Sequence, residues 1–248
     1  MRHSTTKTLA LTAIRNKLKI PESSIERYIE LTHLSILLEQ LDIDLVLDVG
    51  ANQGQFSSEL RAIGYKGFIV AFEPVQSAYH ILQKRFANDE HWLGYNFALG
   101  DESSTTQINV PCETTMSSLL DFVDENRQIE KQQVEVKKLD DIFDEITRAA
   151  KPKTGIFLKM DTQGYDAAVF QGACQVVSDG KIAGLMSELS VLPIYKNMTN
   201  YLDALSTYER AGFCIHNLTV VNRTSKGEIL ELNAFMKSKN MQCKVPRS

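Results

Sequence analysis

Between Ser24 and Leu41 the apolar residues Ile25, Ile29, Leu31, Leu34, Leu37, Leu38 and Leu41 recur at close to helical period. Pro21 just ahead is a helix-entry residue, so a helix is predicted there, lying against a sheet. Leu45-Val46-Leu47-Asp48-Val49-Gly50 is a short apolar run closed by Asp and Gly, the pattern of a buried parallel strand feeding a turn, with a helix to follow over Gln55–Ile63. Phe68-Ile69-Val70-Ala71-Phe72-Glu73-Pro74 repeats that pattern, and the next helix is expected over Gln76–Asn88. A third strand is predicted from Trp92 to Leu99, ahead of Gly100-Asp101.

The stretch Glu102–Asn126 is polar and rich in Ser and Thr, with Gln107–Val110 as one candidate edge strand and Val134–Leu139 as another. A clear rhythm returns at Gly155: Ile156–Asp161 as strand, Tyr165–Ser178 as helix, Ala183–Leu189 as strand, Asn200–Ala211 as helix. Phe213–Val221 and Ile229–Met236 flank Ser225-Lys226-Gly227 as a closing antiparallel pair. Strands alternating with helices and ending antiparallel predict an α/β fold: a doubly wound, mostly parallel sheet covered on both faces, with an antiparallel final strand.

The 248 residues with 43% apolar content suffice for one substantial core. The expected organisation is a helical extension over 1–43, one domain over 44–240 and a tail over 241–248. A formal net charge of -4 argues against a protein that coats nucleic acid and favours a small-molecule or glycan partner. Cys112, Cys174, Cys214 and Cys243 are scattered without metal-ligand spacing and read as reduced thiols of a cytoplasmic protein. No apolar run approaches the length of a membrane span, and the N-terminus lacks the apolar core of a secretion signal. Arg2, Lys7, Arg15, Lys17 and Lys19 precede the first acid, Glu22, with Leu9, Leu11, Ile14 and Leu18 between them. That segment suits weak contact with an anionic membrane surface, an organelle presequence or a packed surface helix.

Ligands of open α/β sheets sit at the carboxyl ends of strands where strand order reverses. The first strand end reads Asp48-Val49-Gly50-Ala51-Asn52-Gln53-Gly54, and the second ends at Glu73, about twenty residues beyond the turn, where an acid can accept hydrogen bonds from ribose hydroxyls. A dinucleotide calls for Gly-x-Gly-x-x-Gly, whereas these glycines lie four apart and are followed by Gln55 and Phe56. Asp48 would repel a diphosphate but favour the ammonium of a methionine moiety. The residues therefore favour S-adenosylmethionine over NAD. Either signal alone would fit a tight strand-to-helix turn or a helix entry.

Four ordered blocks carry a more specific resemblance: Asp48–Phe56, Phe72-Glu73-Pro74, Ala98-Leu99-Gly100-Asp101 and Leu158–Asp166. In order and spacing they resemble the FkbM-type family of S-adenosylmethionine-dependent methyltransferases, over about Leu34 to Lys239. The resemblance implies the seven-stranded Rossmann-like fold of class I methyltransferases and transfer of methyl groups to hydroxyls of sugars or polyketide-like products. It implies that Asp48, Gly50, Asn52 and Gly54, with Gln55, Phe56 and Pro74 beside them, line the methionine part. Glu73 would hold the ribose, and Ala98 and Leu99 would flank the adenine. Many members carry an acid at the position of Gln163, which cannot act as a base, and Asp166 stands where others have Glu.

Methyl transfer from a sulfonium is an in-line displacement with a neutral leaving group, and a hydroxyl acceptor gains from a base within reach. Asp161, at the carboxyl end of a major strand and at the cofactor rim, is the first candidate, with N-cap of the following helix as its alternative. Glu188 is the second, with pairing to Lys159 as its alternative. His80, His91 and His216 lie away from predicted strand ends, and His33 reads as surface. Ser118, Gln163 and Tyr195 are candidate substrate contacts; Ser118 could equally sit in a turn and Tyr195 could stack on a sugar or simply pack. Asp161 and Glu188 lack a third acid for a divalent ion, so no metal is expected. The competing readings are an N-methyltransferase, disfavoured by Asp161-Thr162-Gln163-Gly164 in place of an Asn/Asp-Pro-Pro-Tyr-type signature, a non-catalytic relative, and an NAD-dependent oxidoreductase.

Overall fold

The computed structural model describes residues 21–240 together with Lys17 and Lys19. The basic N-terminal segment, read as a membrane contact, a presequence or a packed surface helix, therefore lies almost wholly outside the described residues, as do Cys243 and the tail. The elements in chain order are α1 (Glu22–Gln40), β1 (Ile43–Val49), α2 (Gln55–Ala62), β2 (Phe68–Phe72), α3 (Gln76–Arg85), β3 (Trp92–Tyr95), β4 (Ala98–Leu99), β5 (Ser104–Pro111), a 3-10 turn (Thr114–Met116), β6 (Ile129–Lys137), α4 (Leu139–Ala150), β7 (Gly155–Met160), α5 (Asp166–Gln171), α6 (Cys174–Ser178), β8 (Ile182–Ser190), α7 (Tyr201–Arg210), β9 (Phe213–Arg223) and β10 (Ile229–Ser238).

Seven strands form the main sheet in the order β3-β2-β1-β7-β8-β10-β9. All neighbours from β3 to β8 run parallel, and β10 inserts antiparallel to both β8 and β9. The runs that read as continuous apolar segments are buried on both faces: Leu45, Leu47 and Val49 join one core layer with α4, α5 and α7, while Val46, Ile69 and Phe157 join the other with Leu34, Leu37, Leu38 and Leu41 of α1 and its C-terminal cap. Strand order reverses at β1, which lies between β2 and β7. Val49 is in register with Phe72 on one side and Met160 on the other, so Gly50, Glu73 and Asp161 each stand one residue beyond the sheet at the same rim. That is where an open sheet of this kind builds a ligand site.

Three expectations are corrected. The strand predicted from Trp92 to Leu99 is broken: Asn96 donates from its side-chain amide to the carbonyls of Glu73 and Pro74, and the chain leaves the main sheet after Tyr95. Ala98–Leu99 pairs instead with β6, and β6 pairs antiparallel with β5 over its length, so the two candidate edge strands belong to a separate three-stranded sheet. Its Ile108 and Val134 pack on Val75 and Ala78 at the start of α3, forming a roof over the strand ends.

The second correction concerns Leu139, which opens α4 rather than closing a strand. The spacing of Leu139, Ile142, Phe143 and Ile146 is the signal for that helix, and all four contribute to the core. The helix expected over Tyr165–Ser178 is also split, because the backbone at Gly172 approaches Gly100 so closely that a Cβ would lie 1.8 Å from its carbonyl oxygen.

Candidate active site

A cavity of about 320 Å³ opens at the rim where β1, β2, β4, β7 and β8 end, under the roof of the small sheet. Pro74, Ala98, Leu99, Ile108 and Leu119 give its wall an apolar slot, and Gly50, Gln55, Phe56, Arg27, Glu73, Asp161, Gln163, Glu188 and Asn233 supply mostly polar groups. Glu73 follows β2, while Asp161, Glu188 and Asn233 stand after or on β7, β8 and β10, farther along the sheet. None of His80, His91 and His216 is in its wall. His33 lies on α1 with its Nδ1 2.8 Å from the Asn217 amide.

The turn after β1 is built by backbone constraint. Gly50 has φ +75°, and a Cβ there would lie 1.9 Å from the carbonyl oxygen of Asp161, so only glycine lets the β1 and β7 ends meet. Gly54 is the left-handed N-cap of α2, its missing Cβ leaving room for Phe86 and Leu82; it shapes the turn without entering the cavity wall.

Glu73 is 4% exposed, and its two carboxylate oxygens accept the amides of Val75 (2.7 Å) and Asn52 (2.8 Å). Burial outweighs these bonds and pushes its pKa up to about 7. Each oxygen keeps a further lone pair for a ligand hydroxyl.

Asp48 does not face the cavity, contrary to the expectation that it meets a ligand ammonium. It is fully buried, accepting the Ser57 hydroxyl at 2.7 Å and pairing with Lys159 Nζ at 3.0 Å. Lys159 is 2% exposed and also donates to the carbonyls of Val49 (3.2 Å) and Gly50 (2.9 Å), with Asp161 Oδ2 at 3.6 Å. Burial works to discharge Lys159, but Asp48 and Asp161 overcome it and hold its pKa above the ordinary value. The ammonium thus ties the β1 turn to the end of β7. The expected alternative for Glu188, a pair with Lys159, is not formed.

Asp161 is not a helix cap either. The helix begins at Asp166, whose buried carboxylate accepts Thr162 N (2.8 Å), Thr162 Oγ1 (2.6 Å), Ser187 Oγ (2.8 Å) and Glu188 N (3.0 Å), stapling the loop 161–166 to β8. This leaves the Asp161 side chain, one-third exposed, in the cavity. Gln163, at φ +53°, donates from Nε2 to both Asp161 Oδ1 (3.2 Å) and Glu188 Oε2 (2.6 Å). Burial first, then the charges of Asp161 and Glu231, push the Glu188 pKa well above the usual carboxylate range.

Two candidate substrate contacts are corrected. Ser118 is 1% exposed and spends its hydroxyl on the Gln163 carbonyl (2.7 Å) while accepting Leu120 N (3.1 Å). Tyr195 is 1% exposed, its ring tilted on Phe122 and its hydroxyl 2.7 Å from Gln163 Oε1 and 3.2 Å from the Met116 carbonyl, so it has no free face for a sugar. Both hold Gln163 from behind. Among the described residues, no group of three or more His, Cys, Asp and Glu side chains is arranged to hold a metal ion.

A family model for the methyltransferase FkbM domain matches residues 48–215. The chain belongs to the FkbM methyltransferase family. It is accordingly an S-adenosylmethionine-dependent methyltransferase, and the NAD-dependent oxidoreductase reading is set aside. No curated protein matches it. Among solved structures, it is similar to magnesium protoporphyrin IX methyltransferase of Synechocystis PCC 6803 with bound S-adenosylmethionine (8% identity, 86% of this chain and 79% of that one, TM-score 0.48). It is also similar to the Methanococcus jannaschii fibrillarin pre-rRNA processing protein (12% identity, 79% and 67% coverage, TM-score 0.47) and to the O-methyltransferase NcsB1 of neocarzinostatin biosynthesis (10% identity, 95% and 60% coverage, TM-score 0.44).

The cavity of this FkbM methyltransferase fits its cofactor on its own terms. The apolar slot suits an adenine face, Glu73 offers acceptors for ribose hydroxyls, and the Ser117 hydroxyl in the wall is buried without a protein partner. The polar Ser/Thr segment expected to border the acceptor brings Thr114, Thr115, Ser117 and Leu119 to the wall, whereas reading the sequence misses Arg27 and Asn233, which reach it from distant parts of the chain. Only Arg27 carried a local signal, a cation on the inward stripe of a predicted helix.

Proposed function

We propose that this chain is an O-methyltransferase acting on a hydroxyl of a sugar, glycan or polyketide-like metabolite, with Asp161 as general base. The observation that carries the reading is the Asp161 carboxylate, presented in the cavity at the end of β7 and aimed by Lys159 and Gln163 on either side. The domain is taken as residues 44–240, preceded by an extension over 1–43 whose described part is α1 and followed by a tail over 241–248 that lies outside the described residues.

Glu73 takes the ribose hydroxyls, while Ala98, Leu99 and Pro74 border the adenosine. Gly50, Asn52, Gln55 and Phe56 border the methionine end; Asp48 and Gly54 act from beneath, through Lys159 and the shape of the turn. When bound, S-adenosylmethionine supplies a methyl group on a positively charged sulfur. Asp161 accepts the proton of the acceptor hydroxyl as its oxygen forms the new bond to carbon and the sulfur leaves as a neutral thioether. Glu188, with its raised pKa, keeps its proton and orients the acceptor beside Asp161 together with Gln163. The apolar roof excludes water, which would otherwise screen these charges.

The net charge of -4 supports a small-molecule or glycan acceptor rather than nucleic acid, and the free thiols of Cys112, Cys174 and Cys214 suit the cytoplasm. Among the described residues no helix is long and apolar enough to cross a membrane, and weak surface contact is assigned to the basic N-terminus. Incubation with methyl-labelled S-adenosylmethionine and a panel of glycosides, sugar nucleotides, polyketide alcohols and amines, read by NMR, tests the reading. A new methoxy signal supports it; an N-methyl product with no methoxy product overturns it.

A further inference from the structure

We infer that Arg27 of α1 binds the carboxylate of the cofactor's methionine moiety, jointly with the first turn of α2. S-adenosylmethionine carries one carboxylate, and a carboxylate taken from water into a cavity needs a cation or several N–H donors. Among the described residues two cations line this cavity, Lys159 and Arg27. Lys159 Nζ is engaged by Asp48 and by the carbonyls of Val49 and Gly50, three partners for three donors.

Arg27 differs. Its Nε bonds Glu59 Oε1 at 2.9 Å, Nη2 bonds the other Glu59 oxygen and Nη1 bonds Glu30. A guanidinium has five N–H groups, so two remain, and the side chain is 36% exposed at the cavity wall. The two acids fix the plane of the fork, and Glu59 places it beside α2, one helical turn on from Gln55. The first amides of that eight-residue helix have no intrahelical partner, and its N-cap, Gly54, supplies no side-chain acceptor. Gln55 and Phe56, in this first turn, also line the cavity, and Glu30, which Arg27 bonds, also accepts the side-chain amide of Asn233 on β10, several strands along the sheet from β2 and Glu73. A cation with spare donors and a helix N-terminus, linked through Glu59, therefore both stand at the cavity and offer N–H donors to a carboxylate.

The inference rests on the cavity being the cofactor site, and two natural thioethers separate the questions. S-adenosylhomocysteine has the carboxylate; 5′-methylthioadenosine has the same nucleoside and sulfur but no amino-acid end. Calorimetric titration of both into wild type, Arg27→Met and Arg27→Lys is the test. Arg27→Met is expected to weaken S-adenosylhomocysteine about 10- to 100-fold and to leave 5′-methylthioadenosine unchanged, with Arg27→Lys in between because a point charge replaces the fork. Equal weakening of both ligands, or of neither, overturns the inference. Binding of neither by the wild type overturns the cavity's assignment first, and that of Arg27 with it.

Discussion

Gln163 Nε2 lies 2.6 Å from Glu188 Oε2 and turns the same amide toward Asp161 Oδ1 at 3.2 Å, so one neutral side chain joins two of the three acids that the described residues bring to the cavity wall. Many FkbM-type sequences carry an acid at this position, where a carboxylate could only repel its neighbours or hold a proton. Here the amide donates, and its oxygen faces the Tyr195 hydroxyl.

Replacing Gln163 by Leu takes the amide donor from Glu188 and Asp161 and leaves the Tyr195 hydroxyl with the Met116 carbonyl alone. The variant is expected to lose about 1–3 kcal/mol of stability, measured by urea denaturation, and to lower kcat more than it changes affinity for S-adenosylhomocysteine.

Glu73 makes both stability and cofactor affinity depend on pH. Its folded pKa of about 7 lies above that of an exposed glutamate, so its neutral form is favoured in the fold. Its contribution to stability is complete below the unfolded pKa and is lost as pH rises through about 7. Relative to Glu73→Gln, the ligand-free wild type is expected to lose about 1–3 kcal/mol between acid and pH 8, followed by thermal melts across that range. The carboxylate is the better acceptor for ribose, so affinity for 5′-methylthioadenosine should rise over the same interval in the wild type and stay flat in the variant.

Ser118→Ala separates support from contact. Losing the bonds to the Gln163 carbonyl and the Leu120 amide is expected to cost about 1–2 kcal/mol by urea denaturation, with KM for the acceptor unchanged. A raised KM at unaltered stability would restore Ser118 to the substrate surface.

The parts of the site legible in the sequence are those set by local pattern. Gly50, Glu73 and Asp161 are each the first residue past a buried apolar run, and parallel pairing in register brings such positions to one rim. Where a residue faces is less legible. Asp48 belongs to the same motif but is turned under the sheet by Lys159, a contact spanning more than a hundred residues. Ser118 and Tyr195 are polar and sit in loop sequence, yet both are buried because Gln163 offers them partners. Arg27 and Asn233 stand more than 200 residues apart and reach one cavity through α1 and β10, a convergence that only packing reveals.

Asp161 is proposed to remove the proton of a hydroxyl acceptor during methyl transfer. Single-turnover transfer of labelled methyl to the acceptor found by the panel, comparing wild type with Asp161→Asn at saturating S-adenosylmethionine, tests it directly. A loss of about 10²- to 10⁴-fold in the transfer rate is expected, with S-adenosylhomocysteine affinity within about threefold of wild type, since the isosteric amide spares the cofactor contacts. A transfer rate within a few-fold of wild type in Asp161→Asn would contradict it.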